Sequence, residues 1–202
     1  MDDWTEASHT GRDLSGVRNS GAHAHDSQFS KCDFTASVLD SAKLERCQFD
    51  ECDFCRANLS DGKFKRCGFL NCNFTDSKVF AATLSGCRFI ACRFDGADLR
   101  AINAESCDFS FSAFRLQDLA GLDLHGGKFV EADFYSANLG ECDLREADMS
   151  RAVLAQACLD GADLRGANLE GVDLTQTSLK KAKIDLAQAI LFAQSHGAIV
   201  GE

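Results

Sequence analysis

Along this chain an apolar residue returns at every fifth position, without a break, from Phe29 to Ile184. That residue is the centre of a five-residue repeat. Every centre falls at a position ending in 4 or 9, and only Val79 and Ala104 are smaller than Leu, Ile, Met or Phe. A helix repeats at about 3.6 residues and a strand at 2, so neither alone produces a strict five. A coiled coil needs about 3.5. Two residues before each centre lies a second regular position, here the slot. It is Ala, Cys, Ser or Gly except at Ile102, Gln117, Leu122, Val172 and Thr177. Polar residues fill the rest, and Asp or Asn commonly stands directly before the centre, as in Ala-Asp-Leu-Arg-Gly (162–166) and Ala-Asn-Leu-Glu-Gly (167–171).

A longer period of twenty overlies the five. Centres spaced by twenty share a residue type: Phe29, Phe49, Phe69, Phe89, Phe109 and Phe129 form one set, and Phe34, Phe54, Phe74, Phe94, Phe114 and Phe134 the next. The other two sets, which begin at Leu39 and Leu44, are mostly Leu. Twenty residues therefore make one closed turn of four sides, with like residues stacked on like, since each coil of a solenoid touches only its neighbours. The sequence predicts an all-β solenoid over 29–184 with about eight coils. At ~4.8 Å per strand this is a rod roughly 40 Å long.

The two ends read differently. In 1–28, Trp4 and Leu14 keep the register, but His9 and Asn19 place polar groups at centres and Ala24 is too small to fill one. This predicts an irregular first coil or cap. After Ile184 the period of five stops. Asp185 and Gln188 have the spacing of a capping box. Leu186, Ala189, Ile190 and Ala193 follow at helical spacing, and Gly197 is a stop. A short helix is expected over 185–197, with Ala198–Val200 as a short strand. Leu186, Ile190, Leu191 and Phe192 are the candidate residues for pairing this end with a second copy.

Composition narrows the function classes. No apolar run approaches the eighteen or so residues of a membrane span. The acidic start Met1-Asp2-Asp3-Trp4 lacks the pattern of a signal peptide, which places the protein in the cytoplasm. Nine of the eleven cysteines occupy slots, where Cys acts as a small buried group. Cys52-Asp-Phe-Cys55 has redox or metal spacing, but one cysteine faces in and the other out. His23 and His25 have no evident third ligand. No cofactor, metal or catalytic constellation is expected, and the chain reads as a non-enzyme.

Charge separates the two halves. Residues 27–100 carry eleven basic and ten acidic side chains; 101–175 carry five basic and fourteen acidic. The net charge of −10 argues against direct binding to nucleic acid or an anionic membrane. Asp123, Asp143 and Asp163 fall on one side of successive coils and Asp98 and Asp118 on the adjacent side, with Glu141 and Asp160 near it; of these, Asp98, Asp118, Asp123, Glu141, Asp143 and Asp163 are the candidate partner-binding residues. Leu70, Ile90 and Val130, with Phe111 nearby, form a candidate apolar patch, and the exchanged sizes of Ile102 and Ala104 predict a local bend.

The repeats resemble the pentapeptide repeat family, whose fold is a right-handed four-sided β-helix. Within it, Trp4 with Thr10-Gly-Arg-Asp-Leu14, the Cys-Asp-Phe repeats and the ending from Asp185 to Gly197 are similar to the MfpA and Qnr group. The uninterrupted register looks more like MfpA, because Qnr coils are broken by loops. The resemblance implies a DNA mimic that forms a homodimer through its C-terminal helix. It also implies a partner, DNA gyrase, with topoisomerase IV as a second candidate, and a link to fluoroquinolone resistance. The alternative is a non-catalytic interaction scaffold with an unrelated partner. With no loop to insert, binding is expected through smooth faces.

Overall fold

A computed structural model describes residues 4–201; Met1, Asp2, Asp3 and Glu202 lie outside the described residues. The chain winds into a right-handed quadrilateral β-helix closed by one short C-terminal helix. Its first half carries ten three-residue strands: β1 (Ser8–Thr10), β2 (His23–His25), β3 (Gln28–Ser30), β4 (Lys43–Glu45), β5 (Gln48–Asp50), β6 (Lys63–Lys65), β7 (Gly68–Leu70), β8 (Thr83–Ser85), β9 (Arg88–Ile90) and β10 (Asn103–Glu105). Odd-numbered strands stack as one parallel sheet around Phe29, even-numbered strands as a second around Leu44. The register shift is twenty residues throughout, as in Phe29↔Phe49 and Leu44↔Phe64. Single parallel bridges join most rungs of the Phe34 and Leu39 faces, and beyond β10 they join rungs on all four faces.

Physical chemistry explains each repeat position. Centres point inward and are buried. Their phenyl rings stack along the axis, Phe29 on Phe49 at 4.8 Å and Phe34 on Phe54 at 4.7 Å, with edge-to-face contacts across the interior. Two residues past each centre the chain turns a corner in the left-handed region, at Arg46 (φ 53) and Asp61 (φ 58) among many others. Asp or Asn before the centre stabilises that corner. Its side-chain oxygen accepts the backbone N–H two residues on, as Asp33 does from Thr35 at 2.8 Å. Slot residues face the previous coil. The thiol of Cys52 donates to the carbonyl of Phe29 at 3.4 Å and that of Cys72 to Phe49 at 3.5 Å. The slot cysteines are thus buried free thiols that act as small weak donors as well as space-filling groups.

The beginning is more regular than the sequence predicts. β1 and β2 pair in register with β3 and β4, and Asp13 and Arg18 bridge to Asp33 and Val38. His9 is accommodated at its centre because its ring lies over Phe29 at 4.9 Å, beside buried Trp4, which packs edge-on against Phe29 and Phe34. At the other end, α1 (Leu186–Ser195) has the capping box of Asp185 and Gln188. Ala198–Val200 is not a strand; its residues are exposed, and the N–H of Ala198 bonds back to the carbonyl of Ala193 at 2.9 Å to close the helix end.

The unbroken sequence period hides breaks in the structure: a small one on the Phe34 face of the last coil, where Val153 is not bridged to Asp173, and a wider one midway along the rod. On the Leu39 face, backbone N–H groups donate to the next coil from Leu59 to Lys78 and from Val79 to Asp98, and again from Leu119 to Asn138. No such bond joins Leu99 to Asp118. On the Leu44 face β10 is the last strand of its sheet, and bonding resumes only between Leu124 and Asp143. The Phe29 and Phe34 faces remain bonded at this level, Phe89 to Asp108 at 2.6 Å and Phe94 to Ala113 at 3.0 Å. The rod is therefore open on two of its sides between 97–106 and 117–126. Oversized slot residues account for this. Ile102, Gln117 and Leu122 stand where Ala, Ser or Cys stand elsewhere, and all three are buried at this junction.

Candidate functional site

The six carboxylates singled out in the sequence lie on the Leu39 and Leu44 faces and the corner between them, Asp98 at the end of the first half and the others in the second. Asp123, Asp143 and Asp163 occupy consecutive rungs. Asp98 and Asp118 share a face but are not bridged, because the open seam passes between them. These Asp residues also hold their own corners, for example by accepting the N–H of His125 at Asp123 and of Arg145 at Asp143. Their abundance is in part a requirement of the fold.

Arginines divide the set. Asp98 pairs with Arg100 at 2.9 Å, Asp143 with Arg145 at 2.5 Å, and Asp163 with Arg165 at 2.6 Å. Hydrogen bonds from these guanidinium groups hold the carboxyls of Asp98 and Asp143 below the usual range and bring Asp163 down to about 2. Asp118, Asp123 and Glu141 have no cationic partner among the described residues. They lie on the two adjacent faces and at the corner between them, and Glu105 on β10, which the repeat pattern of the sequence does not single out, lines one hollow with Asp123. The Glu141 carboxylate folds over Gly161, close enough that a Cβ there would clash with it. The distinction between paired and unpaired carboxylates is present in the sequence as Asp-Leu-Arg against Asp-Leu-Ala and Asp-Leu-His.

The Leu44 face changes sign along its length. In its first half His23, Lys43 and Lys63 stack in register, flanked by Lys65. Like charges directly opposite on paired strands are unfavourable.

Of the apolar candidates, Leu70 and Phe111 are exposed, while Ile90 and Val130 are half-buried. Leu116, one corner along from Phe111, is 75% exposed and extends this set beyond the sequence-based candidates. Both occupy left-handed corners, with φ of 63 at Phe111 and 60 at Leu116, where bulky residues are strained.

At the C-terminal end, Gln188 is buried and its amide donates to the carbonyls of Leu164 and Ala167, while the Asp185 carboxylate accepts the N–H of Gly166 at 2.8 Å. These bonds fix α1 across the last coil. Leu191 packs against the rod and Ile190 is half-buried, whereas Leu186 and Phe192 are 77% and 37% exposed. Among the described residues no group of three or more His, Cys, Asp or Glu could hold a metal ion. Cys52 is buried and Cys55 lies partly at the surface, so the two face apart.

The profile of pentapeptide repeats matches residues 32–76, 82–116, 128–166 and 157–191. The chain belongs to the pentapeptide repeat family. Among solved structures it is similar to a trypsin-treated variant of QnrB1, described as a plasmid-mediated fluoroquinolone resistance protein, with a TM-score of 0.79 and 24% identity over 98% of this chain and 99% of that one. Full-length QnrB1 aligns with a TM-score of 0.70 and 22% identity over 96% and 99% of the two chains. HetL from the cyanobacterium Nostoc, involved in heterocyst differentiation regulation, aligns with a TM-score of 0.53 and 25% identity over 89% and 85%. No curated protein matches the chain in sequence. No helix among the described residues is long and apolar enough to cross a membrane.

Proposed function

We propose that the protein is a non-catalytic, DNA-mimicking ligand of a type II topoisomerase, DNA gyrase or topoisomerase IV. The observation that carries this reading is the cluster of carboxylates without cationic partners, Asp118, Asp123 and Glu141, on the more acidic half of a straight-sided rod. Duplex DNA is a uniformly negative rod held mainly through its phosphates. A protein surface with free carboxylates on adjacent faces of neighbouring coils presents negative charge to the same lysines and arginines. Two copies joined through Leu186 and Phe192 of α1 place their acidic halves next to one another at the middle of a doubled rod. Likeness in fold to QnrB1, itself described as a fluoroquinolone resistance protein, supports the choice of partner.

The test is a gyrase supercoiling assay with purified protein, with and without a fluoroquinolone. Inhibition of supercoiling, or relief of drug-trapped cleavage, is expected at micromolar protein. Asp118→Lys, Asp123→Lys and Glu141→Lys together should abolish it, while Asp143→Asn, at a carboxylate already neutralised by Arg145, should change it little. No effect on several bacterial gyrases sinks the reading. The second reading, an interaction scaffold with another partner, is favoured by the likeness to HetL, and recovery of partners from the native host without gyrase subunits would support it.

A further inference from the structure

The seam between 97–106 and 117–126 is a free β-edge inside a solenoid. We propose that it is a docking site for an extended, lysine- or arginine-bearing segment of a partner protein, which adds to the edge of β10 as a further strand.

The backbone supplies the first argument. The N–H groups of Leu99, Ala101, Ala104 and Ser106 have no backbone acceptor among the described residues. One coil later the equivalent groups are all bonded, Leu119 to Asn138 at 2.8 Å, Gly121 to Gly140 at 2.8 Å, Leu124 to Asp143 at 2.9 Å and Gly126 to Arg145 at 2.9 Å. An unpaired strand edge is a template for another strand, and proteins normally cover or blunt it. Here it lies midway along the rod, with folded coils above and below. Its cause is local: Gln117 and Leu122 fill slots that are held one coil later by the smaller Ala137 and Cys142.

The surroundings supply the second argument. A hollow of about 410 Å³ opens on the Leu44 face at this level, lined by Asn103, Ala104, Glu105, Ser106, Asp123 and His125. Glu105 and Asp123 have no cationic partner among the described residues, and Asp118 stands on the adjacent face. A strand entering here meets backbone donors in the floor and carboxylates on the rim. Its side chains must therefore be basic or neutral, and an acidic segment or a nucleic acid strand is repelled.

The test uses the full chain and three fluorescein-labelled synthetic decapeptides: alternating Lys and Thr, alternating Glu and Thr, and alternating Lys and Pro. The Lys–Thr peptide is expected to bind and to slow hydrogen exchange at the amides of Ala104 and Ser106, on the face that β10 occupies. The Glu–Thr peptide should not bind, and the Lys–Pro peptide, equal in charge but unable to extend a ladder, should bind about tenfold more weakly. The double variant Q117A/L122A restores small slots; it should close the seam, protect the amides of Leu99, Ala101, Ala104 and Ser106 without peptide, and lose Lys–Thr binding. Should that variant fold poorly, E105Q/D123N keeps the edge and should weaken the Lys–Thr peptide about tenfold. Equal binding of Lys–Thr and Lys–Pro, absence of Lys–Thr binding, or binding without protection of Ala104 and Ser106 overturns the proposal. No topoisomerase is present in the experiment, so its outcome is separate from that of the supercoiling assay.

Discussion

The side-chain amide of Gln117 donates to the backbone carbonyl of Phe94 at 2.6 Å, tying two coils together through the interior of the rod. Ser112 makes the corresponding bond to Phe89 at 2.7 Å and Thr177 to Leu154 at 3.0 Å. Gln117 differs in length: it satisfies the same kind of carbonyl while standing the coils apart. Gln117→Leu keeps the bulk and deletes the donor; the Phe94 carbonyl keeps its bond from the Ala97 N–H at 2.9 Å but loses the tie between coils. A loss of about 0.5–1.5 kcal/mol is expected, measured by urea unfolding.

Leu116 is exposed and held in a left-handed corner, so neither core packing nor backbone preference favours it. Asn tolerates that conformation far better. Leu116→Asn should stabilise the rod by about 0.5–1 kcal/mol, the size of other changes that relieve backbone conformation, read as a rise in the urea midpoint at unchanged slope.

The thiols fall into two accessibility classes. Cys55 and Cys158 are partly exposed and the remaining nine are buried. Burial pushes the thiol of Cys142 up to about 11, a further barrier to reaction. Native protein should release two equivalents in a colorimetric thiol assay and eleven only after denaturation.

Acid should loosen the fold over a defined interval. Hydrogen bonds from Arg46 and from Arg165 bring the carboxyls of Asp26 and Asp163 each down to about 2. Their folded pKa values are depressed, so the unfolded chain takes up these protons first as the pH falls. The stability they contribute is fully present above about pH 4 and is lost between about pH 4 and 2. Both pairs are solvent-exposed, so the loss should be small and should shrink in high salt. Urea unfolding across that interval, repeated on Asp26→Asn with Asp163→Asn, checks it: the double variant should have a shallower pH dependence.

The helix supplies the last prediction. Phe192→Asp places a charge on the exposed apolar side of α1 and keeps the side chain of Gln188 that bonds the last coil. Light scattering should show a monomer for the variant and a dimer for the parent chain, with unchanged circular dichroism. Gln188→Ala should instead release the helix from the last coil, costing about 1–3 kcal/mol and a fraction of the helical signal.

The period of five and the overlying twenty carried the fold in full, because a solenoid repeats one local solution and each repeat states it again. Two features were less legible. His9 and Asn19 suggested a frayed beginning, yet a histidine ring can lie across Phe29, and ring shape decides that contact more than polarity does. The seam left a trace in the slot exceptions Ile102, Gln117 and Leu122, but Val172 and Thr177 are exceptions too. Which of these would separate a pair of whole faces depended on their falling on adjacent sides of one junction. For the candidate site, position was readable and charge state was not. The faces that carry the carboxylates follow from the repeat, but the availability of each depended on whether the residue two places on was Arg, Ala or His.

The change of sign along the Leu44 face gives the molecule a lengthwise dipole. His23, Lys43 and Lys63 lie toward one end, and Asp123, with no cationic partner among the described residues, lies past the midpoint. A charged partner approaching from solution therefore exerts a torque on the rod before any contact forms, turning one end away and the other toward it. Orientation is selected during the encounter, and added salt should slow capture by shortening the distance over which that torque is felt.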